Sequence, residues 1–432
     1  MPLTDAAGLP LSGATPAALD HLESALHQLR CFIGDPVASV DAALDASPEM
    51  TMGHVLRAWL HLLGTEPDGL PVARESHRLA QALPMNARER AHVAAIGHLL
   101  QGRWRAAGRV LEDLSIDTPL DALALQAGHQ IDFFTGDSRL LHDRIARALP
   151  AWSPAVPGYH AVLGMLAFGL EETGRYARAE RLGRRSVELE PRDGWGQHAV
   201  AHVLEMQGRR AEGVAWMRKN QASWADDSFF AVHNWWHLAL FHLGLDQVDE
   251  VLALLDGPIT GSGSAVVLDM IDASALMWRL QLRGVDLGDR WHALAERWLS
   301  QAGSGHYAFN DLHAMMAFVG SGRPAAAAGA ATLVQAQARA LAGSGDNVQF
   351  TQEVGQAATA AIQAFGAGQH AQVVQLLRPI RSQAHRFGGS HAQRDLIDLT
   401  LIEAAHRSGQ TALWQALLHE RASAQGATQE VA

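Results

Sequence analysis

The stretch LAFGLEETGRYARAERLGRRSVELEP, residues 166–191, decides how the rest of the chain reads. An apolar helical segment breaks at Gly174, a second, amphipathic and Ala-rich segment starts at Tyr176, and Pro191 stops it. Glycine at such a break supplies the positive φ that ends a helix, and proline ends the next because it brings no amide donor. The stretch therefore predicts a helical hairpin. The same pattern recurs at residues 95–114 around Gly102, 129–150 around Gly136 and 201–219 around Gly208. From Gly102 the steps are 34 residues to Gly136, 38 to Gly174, 34 to Gly208 and 36 to Gly244. A period of this length marks stacked hairpins: each has an apolar face it cannot bury alone, so neighbours make a continuous core. The fold class expected is all-α, an α-solenoid whose superhelix carries a concave groove.

Composition agrees. Of 432 residues 48% are hydrophobic, only three are tyrosine, and Ala, Leu and Gln abound, so intrinsic propensity favours helix nearly everywhere. The clearest repeats span 90–255; degenerate copies within 266–424 centre on Gly322, Gly368 and Gly409. A single solenoid is expected over 16–424, with residues 1–15 and 425–432 frayed, breaks at 256–265 and 301–306, and an Ala-rich helix at 324–343. The net charge of −11 without a basic block argues against nucleic acid as a partner. No apolar run is long enough for a membrane helix and the start lacks signal-peptide character, so a soluble, cytoplasmic protein with no membrane partner is expected. The one cysteine, Cys31, forms no internal disulfide and suits a reducing compartment; any metal would need His, Asp or Glu.

Residues His160 to Pro191 resemble the tetratricopeptide repeat: Gly174 and Tyr176 sit at the inter-helix turn, Ala179 at the helix crossing, Ser186 replaces the second small residue, and Pro191 closes the unit. The strings QHAVAHVLEMQGR (197–209), HNWWHLALFHL (233–243), ALMWRLQLRG (275–284) with GDRW (288–291), FNDLHAMMAF (309–318) and RFGGSHAQRD (386–395) occur in that order. They are similar to the tetratricopeptide repeat protein 38 family, over most of the chain and most densely from 158 to 400. The resemblance implies the repeat fold and brings no established reaction.

QHAVAHVLEM, residues 197–206, places His198, His202 and Glu205 four and then three apart, within roughly a 60° arc of one helix. Spacing alone is weak evidence in a chain with 23 histidines, but His233 and His237 repeat the pair 35 residues later. In the repeat fold, positions about ten, six and three before the turn glycine face the groove, as the resemblance implies, and these three residues hold those positions before Gly208. Four imidazoles and a carboxylate are thus expected to converge, with His129, His160, His306 and His313 as further contributors. Such donors suit zinc, iron or manganese, so His198, His202, His233, His237 and Glu205 are candidate metal ligands. A zinc-peptidase His-Glu-x-x-His pattern is absent, because Ala199 follows His198. Metal-free acid–base chemistry on a small molecule, with Glu205 as candidate catalytic group, is a second reading. A third is histidines that simply satisfy one another in a packed interior or bind a peptide or anion.

Trp195, Trp216, Trp224, Trp235 and Trp236 surround these segments and fit either pocket walls, Trp236 foremost, or inter-repeat core. ALMWRLQLRG reads as core helix with Arg279 and Arg283 on a solvated side, and Asp269 and Asp272 just ahead of it fit a helix start or a cavity carboxylate. In RFGGSHAQRD, Ser390 is the expected N-cap, which puts His391, Arg394 and Asp395 on a first turn suited to an anion. No phosphate loop, dinucleotide fingerprint or nucleophile elbow is present. The function expected is that of a scaffold holding a small molecule or peptide in a His-rich groove; the alternative is an enzyme, metal-dependent or acid–base, using the same residues.

Overall fold

The computed structural model describes residues 3–426 and is all-helical: twenty-four α-helices, short 3₁₀ and π turns, two isolated β-bridges and no strand among the described residues. It divides into two compact units, Met1–Val203 with Trp216–Asn234, and Leu204–Ala215 with Trp235–Ala432.

The first unit contains α1 (Pro16–Cys31), α2 (Pro36–Ala46), α3 (Thr51–Leu62), α4 (Leu70–Ala82), α5 (Ala87–Leu100) and α6 (Trp104–Asp117). It continues with α7 (Ala122–Phe134), α8 (Ser138–Ala148), α9 (Tyr159–Glu171) and α10 (Tyr176–Leu189). The division cuts α11 (Gly194–Met206), α12 (Arg210–Lys219) and α14 (Ala231–Gly244), while α13 (Gln221–Ala225) lies in the first unit. The second unit adds α15 (Val248–Leu254), α16 (Val267–Leu282), α17 (Arg290–Trp298), α18 (Ala308–Ser321) and α19 (Pro324–Leu341). Its last helices are α20 (Asp346–Phe350), α21 (Gln356–Gly366), α22 (His370–Leu377), α23 (His391–Arg407) and α24 (Thr411–Gly426).

One closure repeats along the chain. Gly102 donates its amide to the Leu99 carbonyl and Arg103 to that of His98; the same pair of bonds recurs at Gly136, Gly174, Gly208, Gly284, Gly368 and Gly409. All seven glycines have φ between 66° and 76°, the left-handed conformation that lets two successive amides reach back to the orphaned carbonyls of the helix end. The fifth turn differs from expectation. Gly244 remains inside α14, and Asp246, at φ 57°, takes the left-handed position with the same two bonds from residues 246 and 247. Aspartate is among the few non-glycine residues that tolerate this region.

Several helices pack on the next and also on the one after, as α3 on α5, α6 on α8 and α7 on α9 in the first unit and α16 on α18 and α17 on α19 in the second. Approach is close where side chains are small: a Cβ on Gly169 of α9 would lie 2.5 Å from the Leu141 carbonyl oxygen of α8. Ala179, Leu166, Phe168 and Ile145 are sealed in the first unit's core. Residues 32–34, between α1 and α2, pair with residues 227–229, ahead of α14, through Ile33 and Ser228.

Residues 3–15, expected to fray, are held. Arg88 bridges Asp5 and Asp121 at 3.0 and 2.7 Å, Ser12 donates its amide to Glu89, and Leu11 is buried. Of the expected frayed C-terminus, residues 427–432 lie outside the described residues. Among the described residues no helix is long and apolar enough to cross a membrane.

Candidate functional site

Helices α11 and α14 carry the paired histidines. In the first unit the ring nitrogens of His198, His202 and His233 lie within 4.8 Å of one another. His198 Nε2 and His233 Nε2 face each other at 3.0 Å, and the His198 and His202 rings stand edge-on at 4.4 Å. His198 is 2% exposed and His202 fully buried. Aromatic side chains wall the group: Phe168 stacks on His198 at 5.3 Å, Trp195 lies 4.8 Å from it, and Phe230 contacts both His198 and His233.

The carboxylates that reach this histidine group lie outside the spacing pattern of His198, His202 and Glu205. Glu171 and Glu172, at the C-terminal end of α9, converge with His202 within 4.8 Å, and Glu171 Oε2 lies 3.6 Å from His202 Nδ1. Both are buried. A helix C-terminus carries partial negative charge, so two buried acids there create a local field that favours a cation. The signal was available: Glu171 precedes Gly174 by three residues, the position Glu205 holds before Gly208 one repeat later.

The other candidates fall as follows. His237 stands one turn beyond His233 on α14, in the second unit, buried with its ring 4.9 Å from Trp236. Glu205, expected beside the imidazoles, is not among the groups whose ligand atoms converge with them among the described residues; it lines a cavity of the second unit with Arg279 and Asp395. Arg279, expected to be solvated, is 5% exposed, because α16 is buried around nearly its whole circumference. His129 packs edge-on against Phe168 and Trp195, and burial, helped by Arg144, lowers its pKa to about 3.

His160 Nδ1 donates to Asp193 Oδ2 at 2.7 Å. Burial works against ionised Asp193, yet His160, Ser186 and the Gly196 amide hold its carboxyl below the usual range. His160 also converges with His27, Cys31 and Glu190 within 4.8 Å, a second mixed donor group that only the four-residue spacing of His27 and Cys31 could have signalled. In the second unit His313 is buried, Nδ1 bonded to the Phe309 carbonyl, and burial draws its pKa to about 4. His306 is part-exposed. Ser390 does cap α23, in a reciprocal box with Gln393. His391 is part-buried on that first turn, Arg394 bonds the Gly389 carbonyl, and Asp395 is paired with Arg421. Trp236 is fully buried, as is Trp224 to 1%, and Asp269 accepts from Ser264.

No known family model matches the chain.

Proposed function

We propose that this chain is a cytoplasmic metal-binding protein built as a tetratricopeptide-like solenoid. Its centre for a divalent transition ion, zinc foremost, is formed by His198, His202 and His233 with Glu171 behind them. The repeated turn closure and the packing of several helices on their second neighbours support the solenoid, and the ordered strings quoted above support kinship with the tetratricopeptide repeat protein 38 family.

The observation that carries the metal reading is the convergence of the His198, His202 and His233 imidazoles, with the Glu171 carboxylate at His202, in an interior walled by aromatics. Two nitrogens bound to one tetrahedral zinc at 2.0–2.1 Å are about 3.3 Å apart. The 3.0 Å between His198 Nε2 and His233 Nε2 is within a few tenths of that, so side-chain adjustment suffices. Glu171, opposite His202 Nδ1, has the place of the outer carboxylate that orients a ligating histidine and raises its basicity.

The test is metal content of untagged protein after equilibration with zinc and gel filtration, for the parent, His202→Ala, His198→Ala and His27→Ala. The expected result is loss of one ion per chain in the first two variants and retention in the third. A parent without bound zinc, or loss confined to His27→Ala, overturns the assignment, the latter by moving the ion to the His27, Cys31, His160 and Glu190 group.

A further inference from the structure

The second unit holds a cavity of about 190 Å³ bounded by α14, α16, α23 and α24 together with the 204–215 segment. Seven ionised side chains line it, and most are already neutralised. Arg421 makes a two-pronged contact with Asp395 at 2.5 and 2.9 Å, Arg407 holds Glu403 at 2.7 Å, and Arg283 pairs with Asp246 at 3.0 Å. Three lining groups remain without an ion pair among the described residues: Glu205, Arg210 and Arg279.

Arg279 and the Glu205 Oε2 atom are not casual surface charges. Arg279 is 95% buried, and its guanidinium donates only to backbone, to the Ala392 carbonyl at 2.5 Å and the Ala275 carbonyl at 3.3 Å, with Trp236 against its face at 5.5 Å. Glu205 Oε2 is sealed from solvent and accepts no hydrogen bond. Burial accordingly raises the Glu205 carboxyl, against the pull of Arg210 and Arg279. A half-buried carboxylate with one oxygen sealed from solvent and a buried guanidinium that share one cavity yet do not pair with each other call for a third partner bearing both opposite charges. The rest of the wall is aliphatic, with Leu240, Leu399 and Ile402.

We propose that this cavity binds a free aliphatic α-amino acid, its carboxylate between Arg279 and Arg210, its ammonium on Glu205, and its side chain against Leu240, Leu399 and Ile402. Two guanidinium groups against one carboxylate leave a single surplus positive charge, which makes the ligand's carboxylate the indispensable end. The planar guanidinium fork suits a carboxylate in a two-pronged contact, and the aliphatic wall selects against polar side chains. A site of this kind makes the second unit a sensor or carrier of amino acids, independently of any metal in the first unit.

The test is calorimetric titration of the full, untagged chain with L-leucine, with 4-methylpentanoate, which lacks the ammonium, and with 3-methylbutylamine, which lacks the carboxylate. Leucine is expected to bind at least tenfold more tightly than either analogue. Glu205→Gln is expected to lose tenfold or more for leucine while leaving 4-methylpentanoate unchanged, and Arg279→Gln to lose both; Arg210→Gln, nearer the surface, serves if Arg279→Gln does not fold. Absence of leucine binding by the parent overturns the proposal. So does an amine that binds as tightly as leucine, or a leucine affinity indifferent to both Glu205→Gln and the arginine variant.

Discussion

Glu171 Oε2 stands 3.6 Å from His202 Nδ1, and neither side chain has measurable contact with solvent. A buried carboxylate in this position is stabilised by a positive charge on or beyond the imidazole, whether a proton or a metal ion held on the ring's far nitrogen. Glu171→Gln keeps the shape and removes the charge. Zinc affinity, measured by chelator competition, is expected to fall about 10–100-fold. The unfolding midpoint without zinc should change little, because an unfavourable buried charge leaves with the interaction. Unaltered zinc affinity would exclude Glu171 from the centre.

His129 gives a pH signature of known sign. Its folded pKa is about 3, held down by burial and by Arg144, against an ordinary 6.5. As pH falls through 6.5 the unfolded chain takes up a proton that the folded chain refuses, so stability is lost on acidification. The loss grows toward pH 3 and is on the order of a few kcal/mol. In His129→Phe the ring keeps its edge-on place against Phe168 and Trp195 without the proton linkage. Urea midpoints at pH 7 and pH 4.5 should therefore differ less for this variant than for the parent. An equal difference would show that His129 is not kept neutral by the fold.

Asp311 works in the opposite direction. Burial pushes its carboxyl up to about 7 from an ordinary 3.8, Gln337 opposing only in part. The folded state holds the proton that the unfolded state gives up, so this contribution is complete below about pH 3.8 and is lost as pH rises through 7. Asp311→Asn mimics the protonated side chain. It should stabilise the protein at pH 8, by on the order of 1–3 kcal/mol, and do little at pH 4. A gain that is the same at both pH values would contradict a buried, proton-holding Asp311.

What the sequence made legible follows from how local the cause is. Gly102, Gly136, Gly174 and Gly208 could be read as helix stops because the left-handed turn is a demand on one residue, and glycine meets it most readily. The rule failed at Gly244, since Asp246 also enters that region and the chain placed its turn two residues later. The histidine registry could be read because 35 residues is one repeat. Glu205 shares one helix with His198 and His202, so spacing points to it, whereas the acid beside His202 comes from the preceding repeat at the same register. Arg279 escaped because a helix buried on every side has no polar face against which to orient an arginine. The N-terminal segment escaped because its anchor, Asp5 to Arg88, spans 83 residues and leaves no local pattern.

The turn chemistry itself can be tested at two equivalent positions. At Gly174 an added Cβ meets nothing within 4 Å, so Gly174→Ala carries only the conformational cost of a left-handed alanine, about 1 kcal/mol. At Asp246 the same backbone region is already occupied by a side chain, whose ion pair with Arg283 is 3.0 Å long but places Asp246 89% in solvent. An exposed pair of this kind is worth about 0–1 kcal/mol. Asp246→Gly relieves the φ cost and loses that pair, so its stability should stay within about 0.5 kcal/mol of the parent. Asp246→Ala keeps the φ cost, loses the pair and loses the short polar side chain that tolerates the left-handed region; about 1 kcal/mol of destabilisation is expected. Equilibrium urea unfolding of the three variants beside the parent decides it. If Asp246→Gly proves as damaging as Asp246→Ala, the aspartate side chain rather than the left-handed backbone holds the fifth turn, and the equivalence of residues 174 and 246 fails.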